Sequence, residues 1–444
     1  MYVATGTTAS DLDAGALSAF QLRIIIVCGL VAMIDGFDTQ SIAFLAPEIA
    51  AVWKVPFARF GAVFGAGLMG GIVGALLFGL AGDRVGRKPC LLAAILFFGA
   101  ASLATVCATS IDQLIVYRFI TGIGLGGVIP IIVALTSEYA PARMRATLIT
   151  TMFCGFPLGA AIGGLASARL IAGFGWESVF VAGGVLPLAV FPLVWWLVPE
   201  SIAYLQASGR AEQAGRIYDR LGVPRPAPTL AAAAQDGDGA KAGASNVKRL
   251  FTDGRAAGTL LLWVTVFFSL ALTYFLINWI PSVSRQAGVA ADGAIFGVAM
   301  LNLGSIFGCV ALGRLIDRVG PFKVICASYL AAAVAIAILG YASSAAMLGV
   351  TAFVVGFLAL GAQLCVVALA AVFYTPDIRA TGVGGAMGVG RLGAVAGPVV
   401  GGVLVGLNLP AHDIFLVTAV TSLLAAASVF LMGRLSASRV RNGP

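Results

Sequence analysis

Four charged residues stand where charge is expensive. Asp35 and Asp38 lie in the stretch Asp35-Gly36-Phe37-Asp38-Thr39-Gln40, inside a long apolar run, and Arg118 and Arg391 lie inside two others. An ionised side chain at the centre of a membrane-spanning helix costs at least about 2.5 kcal/mol, so each is a functional candidate by default. The i, i+3 spacing puts Asp35 and Asp38 on one helical face. A carboxyl held between desolvation, which favours its neutral form, and a nearby arginine, which favours its charged form, can load and release a proton as its surroundings change. The chemistry this offers is proton carriage. A structural ion pair is the competing reading, more so for Asp38 than for Asp35.

Arg391 sits twelve residues beyond Arg379, where its run begins. At about 1.5 Å per residue that is roughly 18 Å, past the midplane of about 30 Å of hydrocarbon. Asp35, thirteen residues beyond Leu22, reaches about 20 Å by the same rise. A cation at that depth needs an anion, and only Asp35 and Asp38 are at hand, so a substrate carboxylate becomes a candidate partner for a two-pronged guanidinium. An Asp35–Arg391 pair is the rival. Arg118 is closer to the end of its run, where an arginine can also reach outwards to the interface.

These residues need helices to hold them in a bilayer, and the composition supplies them. Of 444 residues, 60% are hydrophobic and 10% charged, against about 25% charged in soluble proteins. Apolar runs near 22–48, 58–81, 90–109, 112–136, 147–170, 177–198, 257–281, 293–313, 324–342, 345–373, 380–406 and 412–433 are each about long enough to span as helix. The expected fold is all-α: a polytopic membrane protein of twelve spans in two pseudo-symmetric halves. Its segments are a terminal piece 1–21, a six-helix half 22–198, a linker 199–255, a six-helix half 256–433 and a tail 434–444. Within the linker, 226–245 is rich in Ala, Gly, Asp and Pro and reads as flexible. The first twenty residues lack the basic start of a cleaved signal peptide. Most of the 27 Lys and Arg fall on the side that carries both termini, and only Lys54, Arg59, Arg169 and Arg285 on the other. Both termini and the linker are therefore expected in the cytoplasm.

Gly82-Asp83-Arg84-Val85-Gly86 follows the second run and Ile316-Asp317-Arg318-Val319-Gly320 the eighth; Arg145-Ala146-Thr147 opens the fifth and Arg379-Ala380-Thr381 the eleventh. Both pairs are the same distance apart, the mark of a parallel repeat with a binding cavity between its halves. In the turn Asp83, Arg84 and Arg87 can act as a latch, the carboxylate pairing with a cation or a helix N-terminus in one state and releasing it in another. Asp317 and Arg318 repeat that turn, and Glu138, Arg143 and Arg379 stand at the matching ends of the fourth and eleventh runs as further gate elements. Two Gly-x-Gly-x-x-Gly stretches, 65–70 and 388–393, lie inside apolar runs rather than after a strand. They read as close helix contacts and not as a dinucleotide loop.

The Gly79 to Lys88 turn, the twelve spans and the repeat together resemble the major facilitator superfamily over essentially the whole chain. Arg118 followed by Gly122, Gly124, Gly126 and Gly127 resembles that superfamily's fourth-helix motif, which implies a part for Arg118 in proton coupling. Asp-Gly-Phe-Asp at 35–38, Arg-Ala-Thr-Gly-Val-Gly at 379–384, Gly-Val-Gly-Arg-Leu-Gly at 388–393 and Tyr274-Phe-Leu-Ile-Asn278-Trp279-Ile-Pro281 resemble its aromatic acid:proton symporters of bacteria. The Pro199-Glu200-Ser201 end of the sixth run also occurs in sugar porters. The resemblance implies an inner-membrane importer of benzoate-like acids, driven by protons and working as a monomer by alternating access. Asp35 and Asp38 would carry the proton, Arg118 would tune it and Arg391 would hold the substrate carboxylate. Phe37, Tyr274, Asn278 and Trp279 are candidates for contacts to the ring and its hydroxyls.

Other classes are disfavoured. The seven cysteines are scattered and form no Cys-x-x-Cys pair, and His412 is the only histidine. No metal, cofactor, nucleic-acid partner or enzymatic nucleophile–base pair is expected. A porter for another organic acid or a sugar, and a membrane receptor for aromatic acids, are the alternatives. A receptor would signal through the linker, whose composition is plain.

Overall fold

The computed structural model describes residues 17–141, 144–221, 249–252, 255–374 and 379–442. Among these, twelve helices are long and apolar enough to cross a membrane. In chain order they are α1 Ala19–Trp53, α2 Phe57–Val85, α3 Arg87–Thr105, α4 Ile111–Tyr139, α5 Thr147–Phe174 and α6 Glu177–Leu197, then α7 Ala256–Gln286, α8 Ala291–Val319, α9 Pro321–Leu339, α10 Ala345–Val366, α11 Thr381–Gly406 and α12 Ala411–Leu435. Twelve crossings return the chain to the face from which it started. That face carries the Arg-rich turns and is called the basic face below.

Local chemistry sets the ends. Ser18 accepts from the backbone of Gln21 while Gln21 reaches back to the backbone of Ser18, a reciprocal cap on α1. Ser110 caps α4 and Ser344 caps α10 in the same side-chain-to-backbone manner. The two repeated turns depend on glycine: Gly86 has φ 114° and Gly320 φ 96°, a region that side chains with a Cβ avoid. Each lets the chain reverse within one residue at the basic face.

Glycine also sets how closely helices approach. A Cβ on Gly70 would strike the Phe119 carbonyl, and one on Gly393 the Phe267 carbonyl. Both Gly-x-Gly-x-x-Gly stretches are thus contact surfaces, of α2 on α4 and of α11 on α7. Gly36 does the same for α1, whose backbone lies against Phe156 of α5. That contact fixes the rotation of the helix carrying Asp35 and Asp38.

The connection between the halves contains two short helices, Ile202–Ala207 and Ala211–Leu221. Ile202, Leu205, Ala214 and Ile217 bury among residues of α1, α3, α4 and α6. The flexible stretch expected at 226–245 lies outside the described residues.

Candidate functional site

A cavity of about 650 Å³ lies between the halves, within the ordinary range for small-molecule sites. Its walls come from α1, α2, α4 and α5 on one side and α7, α8, α10 and α11 on the other. They are mainly apolar, with a few polar groups: Asp35, Thr39, Arg118, Asn278, Asn302 and Arg391 among them.

Away from the basic face the cavity is roofed. Glu48 of α1 accepts from Arg285 Nη1 of α7 at 2.7 Å. Below that pair, Gln40 and Asn302 exchange two hydrogen bonds: Asn302 Nδ2 donates to Gln40 Oε1 at 2.9 Å, and Gln40 Nε2 to Asn302 Oδ1 at 3.2 Å. Both amides are buried. Trp279 seals the same level, its ring edge-on to Phe64 at 5.4 Å and its Nε1 donating to the Pro398 carbonyl at 2.9 Å. Toward the basic face the lining continues past Pro130, Val133, Ile149 and Gln363. The halves meet at the roof and the cavity runs down toward the basic face.

The two acids of α1 have different surroundings. Asp38 is fully buried and takes Arg118 Nη1 at 3.2 Å and Ser102 Oγ at 2.9 Å, while Arg118 Nη2 donates to the Asp38 carbonyl at 3.2 Å. Arg118 is 3% exposed, so it does not reach outwards to the interface. Asp35 borders the cavity and accepts from Thr39 Oγ1 at 3.2 Å, and among the described residues it has no ion-pair partner. Arg391 also borders the cavity. Its Nη1 donates to the Gly71 carbonyl across the halves at 3.4 Å, and among the described residues no carboxylate pairs with it. The Asp35–Arg391 pair weighed from the sequence is not formed in this state. Tyr274 lines the same cavity as both groups.

The ring-contact candidates divide. Tyr274 and Asn278 line the cavity, with Asn278 Nδ2 tied to the Tyr274 carbonyl at 2.7 Å. Phe37 and Trp279 do not. Phe37 packs its ring on Gly163 of α5, because two residues along a helix turn it about 200° from Asp35. Trp279 is wholly buried in the roof.

At the basic face, Arg87 pairs with Glu138, and Ser201 Oγ also bonds that carboxylate. Glu200 Oε1 accepts from the backbone N–H of Arg87 at 2.8 Å and of Lys88 at 3.0 Å, placing a carboxylate at the N-terminus of α3. Asp83, Arg84, Asp317 and Arg318 are exposed. Arg143 lies outside the described residues, and Arg379 is described only as the first residue of its helix. Sequence reasoning missed Glu200, Ser102, and the Gln40–Asn302 and Glu48–Arg285 pairs. The only signal for the amide pair was a Gln and an Asn inside apolar runs.

Residues 28–372 and 303–443 match the profile of the Major Facilitator Superfamily. The chain belongs to that superfamily. It is 38% identical over 428 residues to the 4-hydroxybenzoate transporter PcaK of Pseudomonas aeruginosa, covering 96% of this chain and 95% of that protein. It is 36% identical over 437 residues to a gallate transporter of Pseudomonas putida, covering 98% and 96%. Its fold matches the xylose transporter XylE of Escherichia coli, solved in a partially occluded, inward-open conformation, with a TM-score of 0.72 at 19% identity over 92% of this chain and 97% of that one. The superfamily and these relatives make the chain a transporter and not an enzyme.

Proposed function

We propose that the protein is a proton-coupled symporter that imports an aromatic carboxylate across the bacterial inner membrane. The observation that carries this reading is the pair of charges on one apolar cavity that, among the described residues, are unmatched: Arg391 without a carboxylate, and Asp35 without a cation. Arg391 holds the substrate carboxylate by parallel hydrogen bonds. Asp35 carries the proton, because it faces the cavity while Asp38 is engaged by Arg118 and Ser102. The Arg118–Asp38 pair tunes the site from the same helix face. Tyr274 and Asn278 contact the ring. The names of the 4-hydroxybenzoate and gallate relatives support an aromatic acid.

The basic face is cytoplasmic, as its Lys and Arg content favours, so a roofed cavity running toward that face is the inward-facing state. The Gln40–Asn302 and Glu48–Arg285 pairs are the outer gate, closed. At the inner gate Arg87 rests on Glu138 and Asp83 is unengaged among the described residues, which fits a latch released while the inner side is open. In the outward state Asp83 and Asp317 take up their partners. One chain supplies both cavity walls, so a monomer suffices. A monoanion carried with one proton moves no net charge, and each further proton adds about 2.3 kcal/mol of driving force per 100 mV.

Uptake of labelled benzoate and hydroxybenzoates into proteoliposomes under an imposed pH gradient tests the reading. Accumulation that collapses with a protonophore supports it. Binding without accumulation would make the protein a receptor, and accumulation of sugars alone would make it a sugar porter.

A further inference from the structure

Threonines buried in spanning helices usually return their hydroxyl to the helix, donating to a carbonyl three or four residues back. Thr105, Thr121, Thr265 and Thr418 do so, each donating to the carbonyl four residues earlier, at 2.9, 2.8, 2.8 and 2.8 Å, whereas Thr136, away from the cavity, has no partner for its Oγ1 among the described residues. Thr273 of α7 does not donate in this way either. It is 6% exposed, its Oγ1 has no hydrogen-bond partner among the described residues, and the residue borders the cavity. Among the described residues, only one other buried polar atom without a partner belongs to a cavity-lining residue, Nε of Arg118, whose guanidinium is otherwise engaged by Asp38.

The surroundings of Thr273 favour a ring over a second charged group. Leu270 and Ile277 line the same wall one turn before and after it, Tyr274 is adjacent in sequence, and Tyr274 and Arg391 line the same cavity. A flat acid whose carboxylate sits on Arg391 shares its cavity with this mainly apolar wall, in which Thr273 offers a buried hydroxyl. A buried hydroxyl left unpaired is costly, and one that meets a phenolic oxygen is satisfied. We infer that Thr273 is a specificity residue, whose hydroxyl pairs with a ring hydroxyl of the substrate and so selects hydroxylated benzoates over benzoate. The inference rests on the proposed aromatic-acid reading of this cavity and adds the group that discriminates among such acids.

Thr273→Val keeps the side-chain shape and removes the hydroxyl, and Thr273→Ser keeps the hydroxyl. Uptake kinetics of benzoate and of 2-, 3- and 4-hydroxybenzoate are compared in proteoliposomes for the two variants and the unaltered transporter. In Thr273→Val, KM for the hydroxybenzoate that the unaltered protein prefers should rise about tenfold, the worth of one hydrogen bond of about 1.4 kcal/mol. KM for benzoate should change less than about twofold, and Thr273→Ser should keep the original preference. Benzoate uptake by the valine variant serves as its folding control. Equal changes for benzoate and hydroxybenzoate, or none for any isomer, would overturn the role of Thr273. An unaltered transporter that carries none of the four acids would remove the aromatic-acid reading itself, and this inference with it.

Discussion

Removing one amide of the outer gate should open that gate. In Gln40→Leu, Asn302 Nδ2 keeps its bond to the Val298 carbonyl at 3.0 Å, but Asn302 Oδ1 loses its donor in a site that is 1% exposed. A buried acceptor left without a donor costs about 1–3 kcal/mol. The cost falls only on the roofed state, because water reaches Asn302 once the halves part. The ratio of roofed to open conformers should therefore drop by about 5- to 150-fold. Ala51 and Gln286 are exposed and flank the Glu48–Arg285 pair, so spin labels there read the opening directly. Pulsed dipolar spectroscopy on the reconstituted protein, with the exposed Cys107 replaced by serine, should show a longer-distance population growing in Gln40→Leu. Gln40→Leu with Asn302→Leu leaves no amide stranded and should return most of the population to the short distance. A distance distribution unchanged in Gln40→Leu would refute the clasp as a gate. Equal opening in single and double variants would show that the two amides do not act as a pair.

Three further outcomes follow from the same geometry. Arg391→Ala and Arg391→Lys should both lose measurable binding of a hydroxybenzoate by calorimetry, with the lysine variant partly active at high substrate because it keeps charge but not the two-pronged donor; binding restored by Asp35→Asn with Arg391→Gln would mean the two residues pair structurally instead. Removing one partner of the buried Asp38–Arg118 pair, by Asp38→Leu or Arg118→Leu, should destabilise the fold by about 3–5 kcal/mol, read as a lower melting temperature in detergent, whereas the double leucine variant should melt closer to the unaltered protein. A reporter fused after Ser245 should behave as cytoplasmic, and a periplasmic signal would reverse the assignment of the basic face.

The spans, the pseudo-repeat and the depth of Asp35 and Arg391 were legible in the sequence because each depends on local properties: run length, charge inside a run, and rise per residue. The placement of Phe37 was not. It shares a motif with Asp35 but points about 200° away from it, and only the contact of Gly36 on Phe156 and of Phe37 on Gly163 fixes which face meets the cavity. Arg118 was ambiguous for the same reason: its distance from the helix end allowed the interface, and its partner, Asp38, is 80 residues away in sequence. The Gln40–Asn302 clasp joins residues 262 apart; Gln40 only closes the Asp35–Gln40 stretch, and Asn302 lies in no motif. The free hydroxyl of Thr273 is a property of what surrounds it, which spacing does not encode.

In the proposed mechanism Asp35 converts a proton gradient into substrate accumulation. Its most direct test is uptake of labelled 4-hydroxybenzoate into proteoliposomes under an inward pH gradient, compared in Asp35→Asn with counterflow exchange in the same vesicles. Asp35→Asn should abolish gradient-driven accumulation and retain exchange, because asparagine keeps the cavity shape and cannot release a proton. Accumulation at the unaltered rate in Asp35→Asn would contradict it.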